Sequence, residues 1–593
     1  MCGITGYIGN KNAAKIIYDG LIRLEYRGYD SVGIAVKNAH EVSILKRAGR
    51  VNCIGGEVEN LKGKIGIGHT RWATHGKPCD ENAHPHESCG VYLVHNGVIE
   101  NYKELKSALE SQGEKFKSQT DSEVIVKLIA KNYSGDLLKA TAAAIKNLKG
   151  SFALLILSVN EERLIAVCNK SPVIIGRGKG ENFVCSDAPA LAGLCDNICV
   201  LNDGDIADIT AEKVNFYTFD LVSAKREFNK NLATEACLDL GDCPHYMLKE
   251  IKEIPHAVKN TVNAVSSVDI TELTKLILHK NRVIFLGCGT AYHAGLVAKE
   301  WVEDIAKIPA SCETAGEWRY KNAVVDKNTL VVAISQSGET ADTLQAVIKA
   351  KEMGAAVIAV TNVGYSAITR LSHFVLPVAA GAEICVAATK SYCGQLAALY
   401  LLTLILKFGL NFKNTELFGD IANMHALCNS VISSIYAGGI AKKFAKSNAV
   451  YFIGRGLDCS VAREGSLKLK EVSLKHSEGY PAGELKHGTL ALIDEHTYTV
   501  AIICNEQLKY KTLSAIEQIL SRGGRVVAVC ADGDFCTELT DKVECVFSVP
   551  KTNKYLSPIL SVIPLQMLAY YTALSCGCDP DKPRNLAKSV TVE

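Results

Sequence analysis

The chain has 593 residues, of which 48% are hydrophobic and 22% charged, and its formal net charge is +2. A single hydrophobic core stops growing at about 250–300 residues, so this length predicts several domains. The near-neutral charge offers no basic surface for nucleic acid and no acidic tail, and we expect no nucleic-acid partner.

No positively charged segment followed by an apolar one opens the chain, so no secretory signal is predicted. The most apolar stretch, QLAALYLLTLILKF from Gln395, is too short for a membrane span and predicts a buried helix. The 22 cysteines are scattered and form no CxxC pair, which favours free thiols in a reducing compartment over a disulfide framework. We therefore expect a cytoplasmic protein that is not inserted in a membrane.

The first element, MCGITGYIG, places a cysteine directly after the initiator methionine. Removal of that methionine would leave Cys2 with both a thiol, pKa about 8.5, and an α-amino group, pKa about 7.7–8.0. Such a residue combines a nucleophile with its own base, as an N-terminal threonine does. A small second residue is also common in proteins without catalytic meaning, so the position alone leaves both interpretations open.

The first ~215 residues contain short alternating runs such as VYLVHNGVI and SFALLILSV, which predict a layered, largely β domain. A charged and less periodic stretch follows, which we interpret as a linker and a first helix. From about residue 272 the pattern changes to apolar strand, glycine turn and long helix, as in VIFLGCGT and LVVAISQSGET. This alternation predicts parallel sheets flanked by helices.

An internal repeat lies within this second part. NRVIFLGCGT from Asn281 aligns with NAVYFIGRGL from Asn448, and TLVVAIS from Thr329 has a counterpart in YTVAII from Tyr498. Two copies of one αβα sandwich are therefore predicted. Only the first copy continues into SQSGET, so we expect one ligand site per chain.

The turn SQSGETADT places the hydroxyls of Ser335, Ser337 and Thr340 around Gly338 at a strand-to-helix junction. Backbone N–H groups and the dipole at a helix N-terminus favour an anion, and this combination suits a phosphate monoester. Plain N-capping is the alternative, although a cap needs one hydroxyl and not three. No GKS or GKT follows, so a nucleoside triphosphate is disfavoured.

Motifs along nearly the whole chain resemble one known family. CGI at Cys2, LEYRGYDS, HTRWATHG, NAHPH, HNGVIEN and TDSE resemble a class II, N-terminal-nucleophile glutamine amidotransferase. ISQSGETADT, VAATK, EGSLKLKE, GELKHG and PRNLAKSVTVE resemble paired sugar-isomerase (SIS) domains. In this order they resemble the isomerising glutamine:fructose-6-phosphate aminotransferases, which start hexosamine synthesis.

The resemblance implies an α+β and α/β fold: an N-terminal-nucleophile αββα glutaminase sandwich followed by two αβα parallel-sheet SIS domains. The implied boundaries are a glutaminase domain at 2–217, a linker with a connecting helix at 218–271, SIS domains at 272–413 and 440–582, and an active-site tail at 583–593. The implied partners are L-glutamine, D-fructose 6-phosphate and a second copy of the chain in a homodimer. Neither a metal nor a cofactor is implied.

In the glutaminase half, the resemblance implies that Cys2 attacks the side-chain amide of glutamine and releases ammonia. Asn96 and the Gly97 N–H would form the oxyanion hole, Arg71 would bind the α-carboxylate and Asp121 the α-ammonium. Trp72, Thr74 and His75 would complete the glutamine loop, and Trp72 would gate the passage of ammonia.

In the isomerase half, the resemblance implies that Lys588 forms a Schiff base with open-chain fructose 6-phosphate. Glu471 would move a proton between C1 and C2, His487, from the neighbouring subunit, would open the sugar ring, and Lys468 would lie on the same helical face as Glu471. Glu464, one turn earlier, would orient Lys468. The implied sugar-phosphate contacts are Thr290, Ser335, Gln336, Ser337, Thr340, Val386, Glu464 and Ala587.

Two positions depart from the family pattern. Ala291 and Ala388 stand where relatives usually carry serine. Each substitution removes one possible hydrogen bond to the sugar phosphate, worth about 0.5–1.5 kcal/mol. We therefore expect a raised KM for the sugar phosphate with activity retained.

Three other interpretations were weighed. Asparagine synthetase and the purine-pathway amidotransferase share the N-terminal domain type, but no SGGxDS or VVDDS loop follows residue 240. A non-catalytic sensor of sugar phosphates would not need Cys2, Arg71 and Asp121 together, nor Glu471 with Lys588. A metal site could use nearby imidazoles and thiols, but these show no regular ligand spacing; they are His69, His75, His84, His86, His95, Cys79 and Cys89.

Overall fold

The structure is a computed structural model that describes residues 2–39, 41–73, 75–231 and 239–590. The chain divides into two compact units, Met1–Asp239 with Ala587–Glu593, and Leu240–Leu586. Each unit is described by itself below.

The described residues of the first unit form fifteen strands in two antiparallel sheets. The strands are β1 (Gly3–Ile8), β2 (Ser31–Lys37), β3 (Val42–Ala48), β4 (Ile65–Arg71), β5 (His86–Ser88), β6 (Val91–Ile99), β7 (Gly150–Ser158), β8 (Leu164–Asn169), β9 (Ile174–Arg177), β10 (Asn182–Cys185), β11 (Asn197–Val200), β12 (Asp205–Ile209), β13 (Val214–Thr218), β14 (Ser223–Ala224) and β15 (Asn229–Lys230). One sheet has the order β15-β11-β9-β10-β1-β4-β2-β3, and the other β14-β13-β12-β8-β7-β6-β5. The short strands β14 and β15 extend both sheets beyond residue 217.

In the described part of this unit, five α-helices accompany the sheets: α1 (Ala13–Leu24), α2 (Gly55–Val58), α3 (Tyr102–Glu110), α4 (Ser122–Asn132) and α5 (Leu137–Ile145). One apolar core lies between the two sheets and includes Ile67 from β4 and Leu155 from β7. A second core lies between the seven-stranded sheet and the helices α4 and α5. On the other side of the sandwich, α1 packs against β1 and β4 of the eight-stranded sheet. The alternating runs thus bury both faces of each sheet, and the predicted αββα sandwich is confirmed.

The second unit contains two five-stranded parallel sheets. Their strands are β16 (Arg282–Gly287), β17 (Ala310–Thr314), β18 (Thr329–Ser335), β19 (Ala356–Thr361), β20 (Phe374–Pro377), β21 (Val450–Gly454), β22 (Ser477–Pro481), β23 (Tyr498–Ile503), β24 (Arg525–Ala531) and β25 (Cys545–Val549). The two sheets have the same strand order once the strands of each are numbered along the chain: β17-β16-β18-β19-β20 in the first and β22-β21-β23-β24-β25 in the second. The predicted duplication of an αβα sandwich is therefore confirmed.

The helices of the second unit flank both sheets. They are α6 (Tyr246–Lys252), α7 (Ile254–Ser267), α8 (Thr271–Ile277), α9 (Thr290–Trp301), α10 (Ala315–Trp318), α11 (Ala341–Glu352), α12 (Ala367–Leu371), α13 (Lys390–Phe408), α14 (Glu416–Ala422), α15 (Met424–Ser434), α16 (Gly438–Lys446), α17 (Leu457–Ser473), α18 (Lys509–Leu520), α19 (Asp534–Thr540) and α20 (Ser557–Ser575).

Two helical segments, Lys390–Asn414 and Ser557–Ser575, are long and apolar enough to cross a membrane by length and composition alone. In the structure 72% and 89% of their most apolar windows are buried inside the protein. Both pack into one continuous core with α7, α9 and α17. The buried helix predicted from Gln395 is confirmed, and α20 is a second helix of this kind that the sequence reading passed over.

The two sandwiches share a detail at the start of their first long helix. Gly289 precedes α9 with φ 55° and ψ −125°, and Gly456 precedes α17 with φ 57° and ψ −133°. A positive φ of this kind is accessible to glycine at little cost, which explains glycine at both positions. The two helix N-termini are therefore presented to the ends of their sheets in the same way.

One cysteine pair departs from the sequence prediction of free thiols. Cys530, at the end of β24, and Cys536, in α19, form a disulfide. The two residues are six positions apart, and the turn between the strand and the helix brings them together. The other cysteines in the described part of the chain are free thiols.

Candidate active sites

Cys2 lies immediately before the central strand β1 and is held there by two hydrogen bonds to its carbonyl oxygen. Arg27 donates to this oxygen from Nε at 3.2 Å, and Asn96 donates from Nδ2 at 3.1 Å. Arg27 is itself fixed by Asp187, whose carboxylate lies 2.7 Å from Nη1. Arg27 lies in the LEYRGYDS motif, but its contact with Cys2 depends on the fold and has no signal in the local sequence.

The Cys2 thiol is partly buried against the loop that follows β4. Its Sγ accepts a hydrogen bond from the Trp72 N–H at 3.3 Å and lies 3.6 Å from the Trp72 carbonyl. Burial raises the pKa of the Cys2 thiol, and the Trp72 N–H acts in the opposite direction. A thiol in this environment needs a base to reach the thiolate form that attacks carbonyl carbon.

Asn96 and Gly97 lie in the second half of β6, next to Cys2. Gly97 has φ +130°, and a Cβ at this position would come within 2.0 Å of the Ser151 carbonyl oxygen. Only glycine therefore fits this point of the strand. The Asn96 amide is buried and donates from Nδ2 to the Cys2 carbonyl oxygen, which places an amide donor next to this cysteine.

His69 is the neighbour that holds the other end of the Asn96 amide. Its Nε2 lies 3.1 Å from Asn96 Oδ1 and 2.9 Å from the His95 carbonyl oxygen. Burial lowers the pKa of His69 to about 3, so the imidazole is neutral at physiological pH. In the sequence, His69 stands out only as part of the HTRWATHG motif and as one of several imidazoles that could bind a metal.

Arg71 and Asp121 supply opposite charges in the same unit. Both are buried, and Arg71 donates from Nη2 to the carbonyl oxygens of His75 and Gly76, the latter at 3.0 Å. Its Nη1 is buried without a hydrogen-bond partner among the described residues. Asp121 accepts a hydrogen bond from the Ile99 N–H at 2.9 Å.

The remaining predicted glutamine contacts lie on the loop after β4. The Trp72 ring meets the Tyr29 ring edge-on at 5.4 Å, and the His75 ring meets the Tyr102 ring at 5.2 Å. Asp30 braces this loop by accepting a hydrogen bond from the Ala73 N–H at 2.8 Å. Thr74, also predicted to contact glutamine, lies outside the described residues.

Four of the histidines considered as metal ligands form a buried, neutral cluster: His69, His84, His86 and His95. The His69 and His84 rings lie 4.1 Å apart, and those of His84 and His86 lie 4.6 Å apart. Burial lowers the pKa of His84 and His86 well below the ordinary value, and burial also lowers the pKa of His95. Within the described ranges, no group of three or more His, Cys, Asp or Glu side chains could hold a metal ion.

The isomerase half contains a buried charged cluster centred on Lys468 in α17. Its Nζ lies 2.5 Å from Glu471 and 3.6 Å from Glu464. Although burial disfavours the charged form, the two carboxylates raise the pKa of Lys468 above its ordinary value. The i,i+3 and i,i+4 spacing on one helix explains why the sequence placed these groups on one face.

Glu464 joins this cluster to the first SIS copy. It accepts a hydrogen bond from the Thr290 hydroxyl at 3.1 Å and lies 2.8 Å from His293 Nδ1. Thr290 is the first residue of α9, so the duplicated sandwiches meet at these two helices. His293 is a further member of the cluster that the sequence reasoning missed.

The hydroxyl-rich turn lies at the carboxyl end of β18, as expected for a ligand loop of a parallel sheet. Ser335 Oγ lies 3.0 Å from Thr340 Oγ1 and accepts the Gly338 N–H at 3.0 Å, while Ser337 Oγ accepts the Glu339 N–H. The Gln336 carbonyl accepts the Asn362 N–H at 3.2 Å. Gly338 has φ +68°, and a Cβ there would meet Ser366 Oγ at 1.9 Å.

In the equivalent turn of the second copy, backbone N–H groups are already hydrogen-bonded to a side chain of the protein. Asp458, the second residue of α17, accepts hydrogen bonds from the Cys504 N–H at 3.0 Å and the Asn505 N–H at 3.1 Å. Burial raises the pKa of Asp458 to about 7. The equivalent residue of the first copy is Ala291, which has no such side chain.

The other predicted residues of the isomerase half are more dispersed. Val386 is buried and donates its N–H to the Asp581 carbonyl at 3.1 Å. His487 is exposed on the short helix Glu484–His487, and within the described residues no hydrogen bond joins it to Lys468 or Glu471. Ala587 and Lys588 are partly exposed, and both belong to the part of the C-terminal tail, Ala587–Glu593, that is assigned to the first unit.

Comparison with known families identifies the class of protein to which these folds and sites belong. The SIS domain model matches residues 276–405 and 443–576, and the glutamine amidotransferase domain model matches 69–192. The chain is thus a two-SIS-domain protein with a glutamine amidotransferase domain.

Curated relatives align over the full length of both chains. The chain is 46% identical to the glutamine–fructose-6-phosphate aminotransferase (isomerizing) of Caldanaerobacter subterraneus subsp. tengcongensis and 45% identical to that of Aquifex aeolicus, with 100% of each chain covered. The chain belongs to the family of isomerizing glutamine–fructose-6-phosphate aminotransferases.

A solved structure agrees with this assignment over more than half of the chain. The C-terminal domain of glucosamine-fructose-6-phosphate aminotransferase from Francisella tularensis matches with a TM-score of 0.53 and 36% identity. It covers 58% of this chain and 99% of its own.

Proposed function

We propose that this chain converts D-fructose 6-phosphate and L-glutamine to D-glucosamine 6-phosphate and L-glutamate. The observation that carries the proposal is the presence of two different sites in one chain. One contains Cys2 beside the Asn96 amide, and the other contains Lys468 between two carboxylates. The full-length relatives bear the name of this reaction, which supports the same conclusion.

In the proposed glutaminase reaction, Cys2 attacks the side-chain carbonyl of glutamine after methionine removal exposes its α-amino group as base. The Asn96 amide and the Gly97 N–H stabilise the developing oxyanion, a role in which one donor is worth roughly 3–4 kcal/mol. The unpartnered Arg71 Nη1 binds the α-carboxylate, and Asp121 binds the α-ammonium. A ligand with both charges is thereby selected.

In the proposed isomerase reaction, phosphate binds the turn of Ser335, Ser337 and Thr340, and Lys588 forms the Schiff base with the open-chain ketose. Glu471 moves the proton between C1 and C2, and the adjacent Lys468 cation stabilises the enediolate that forms. Glu464 holds Lys468 and Thr290 in place through the contacts described above. His487 opens the sugar ring, and the further sugar-phosphate contacts are Gln336, Val386 and Ala587.

We also propose the domain boundaries 2–217, 272–413 and 440–582, with a connecting segment at 218–271 and an active-site tail at 583–593. The two family matches to SIS domains fall within the second and third of these ranges. A cytoplasmic homodimer is part of the same proposal, since the family's ring-opening histidine comes from the neighbouring subunit.

Coupling between the two reactions provides a direct test of the proposed function. Ammonia is mostly protonated in neutral water and would be lost, so glutamine hydrolysis should accelerate when fructose 6-phosphate is bound. We expect glutamate release from glutamine to rise severalfold on addition of fructose 6-phosphate, with glucose 1-phosphate as a control sugar. Equal rates with and without fructose 6-phosphate would contradict the coupling.

Ala388→Ser restores the hydroxyl that relatives usually carry near the phosphate. We expect the KM for fructose 6-phosphate to fall about two- to tenfold, because one added hydrogen bond is worth about 0.5–1.5 kcal/mol. The KM for glutamine in the same assay should stay unchanged. No change in the affinity for the sugar phosphate would refute a role for this position.

A further inference from the structure

We propose that His69 is a positioning residue for the oxyanion hole, which it completes by fixing the orientation of the Asn96 side-chain amide. The inference rests on the proposed glutaminase function, because it assigns Asn96 as an oxyanion donor. His69 lies in β4, and Asn96 lies in β6 of the other sheet. The contact therefore spans the interface between the two layers of the sandwich.

The hydrogen-bond geometry allows one tautomer of His69. Its Nε2 faces two acceptors, the His95 carbonyl oxygen at 2.9 Å and Asn96 Oδ1 at 3.1 Å. A carbonyl oxygen can only accept, so Nε2 must carry the hydrogen of the neutral ring. Burial lowers the pKa of His69 to about 3, which keeps the ring in this neutral form.

The orientation of Asn96 follows from this tautomer. Its Oδ1 accepts from His69, which turns Nδ2 toward the Cys2 carbonyl oxygen at 3.1 Å. If the amide were reversed, Nδ2 would face the His69 N–H, and two donors would oppose each other. At the same time Oδ1 would face the Cys2 carbonyl oxygen, and two acceptors would oppose each other. Without His69, the buried amide loses one of the two groups that distinguish its orientations, and the Cys2 carbonyl oxygen alone remains to hold Nδ2.

His84 offers a matched comparison in the same cluster. Its ring lies 4.1 Å from the His69 ring and is equally buried, but neither ring nitrogen has a hydrogen-bond partner among the described residues. A variant at His84 changes the packing of the cluster and leaves the hydrogen bond to Asn96 in place. A merely structural role for His69 would make the two positions behave alike.

The test compares His69→Phe, His69→Gln and His84→Phe in the full-length protein. We expect His69→Phe to lower kcat for glutamine hydrolysis about 10- to 100-fold with the KM for glutamine within about threefold, since a misdirected donor loses transition-state stabilisation. His69→Gln retains an N–H near the Nε2 position and should recover most of the rate. His84→Phe should stay within about threefold of wild type, and amino-sugar synthesis from ammonia should be unchanged in all three.

A double-mutant cycle with Asn96→Ala gives the second readout. In the Asn96→Ala background, His69→Phe should lower the rate by less than about twofold, because the group it positions is gone. Additive losses, or an equal loss in His84→Phe, would overturn the assignment of His69. Retention of glutamine hydrolysis by Cys2→Ala would instead overturn the proposed glutaminase function, so the two failures are distinguishable.

Discussion

Replacing Cys2 by alanine should abolish amino-sugar synthesis from glutamine and leave synthesis from ammonia intact. The thiol is the only nucleophile that the proposed reaction uses on glutamine, and removal of such a group costs about 10⁴-fold or more in kcat. The isomerase cluster lies in the other compact unit and does not depend on this side chain. The measurement is product formation from fructose 6-phosphate with either glutamine or ammonium as the nitrogen donor.

Cys53→Ala is the control for this variant, because Cys53 is an exposed thiol of the same unit. It should retain both activities. N-terminal sequencing of the purified protein adds an independent check, since the α-amino group of Cys2 acts as base only after Met1 is removed. Full glutamine-dependent activity in protein that retains Met1 would contradict the mechanism.

The second large effect is expected at Lys468. Lys468→Met should lower synthesis from ammonia by about 10³-fold or more, because the enediolate loses its adjacent cation and two carboxylates are left near each other without compensation. Removing one partner of a buried ion pair also costs roughly 3–5 kcal/mol of stability. Glutamine hydrolysis measured without sugar should persist in Lys468→Met, and this activity shows that the first unit of the variant is folded.

Two further variants separate chemistry from folding. Lys470→Met makes the same change on the same helix at an exposed position and should behave like wild type. Glu471→Gln keeps the shape of the side chain and a hydrogen-bonding oxygen for Lys468, so it should retain stability but lose proton transfer. If Glu471→Gln retained full activity, Glu471 would be excluded as the base.

Much of the fold could be predicted from local sequence patterns. Alternating runs such as VYLVHNGVI predicted the antiparallel sheets, and the repeat between Asn281 and Asn448 predicted the duplicated parallel ones. The Lys468–Glu471 pair was also accessible, because three residues on a helix separate its members by less than one turn.

Contacts between distant segments could not be predicted in the same way. Glu464 and Thr290 are 174 residues apart, and the sequence contains no periodicity that joins them. The His69–Asn96 hydrogen bond depends on how two sheets pack, which local patterns do not specify. The Cys530–Cys536 disulfide was missed because the spacing matched no familiar motif.

The internal hydrogen bonds of Asp458 have an evolutionary consequence. A carboxylate tethered to a helix reaches the amides of its turn at a very high effective concentration, which a freely diffusing anion cannot equal. After the sandwich was duplicated, a single acidic side chain could thus stop the second copy from binding an anionic ligand while its fold was preserved. The second copy could then specialise as a scaffold. It supplies α17, the helix that carries Glu464, Lys468 and Glu471 and packs against the first copy.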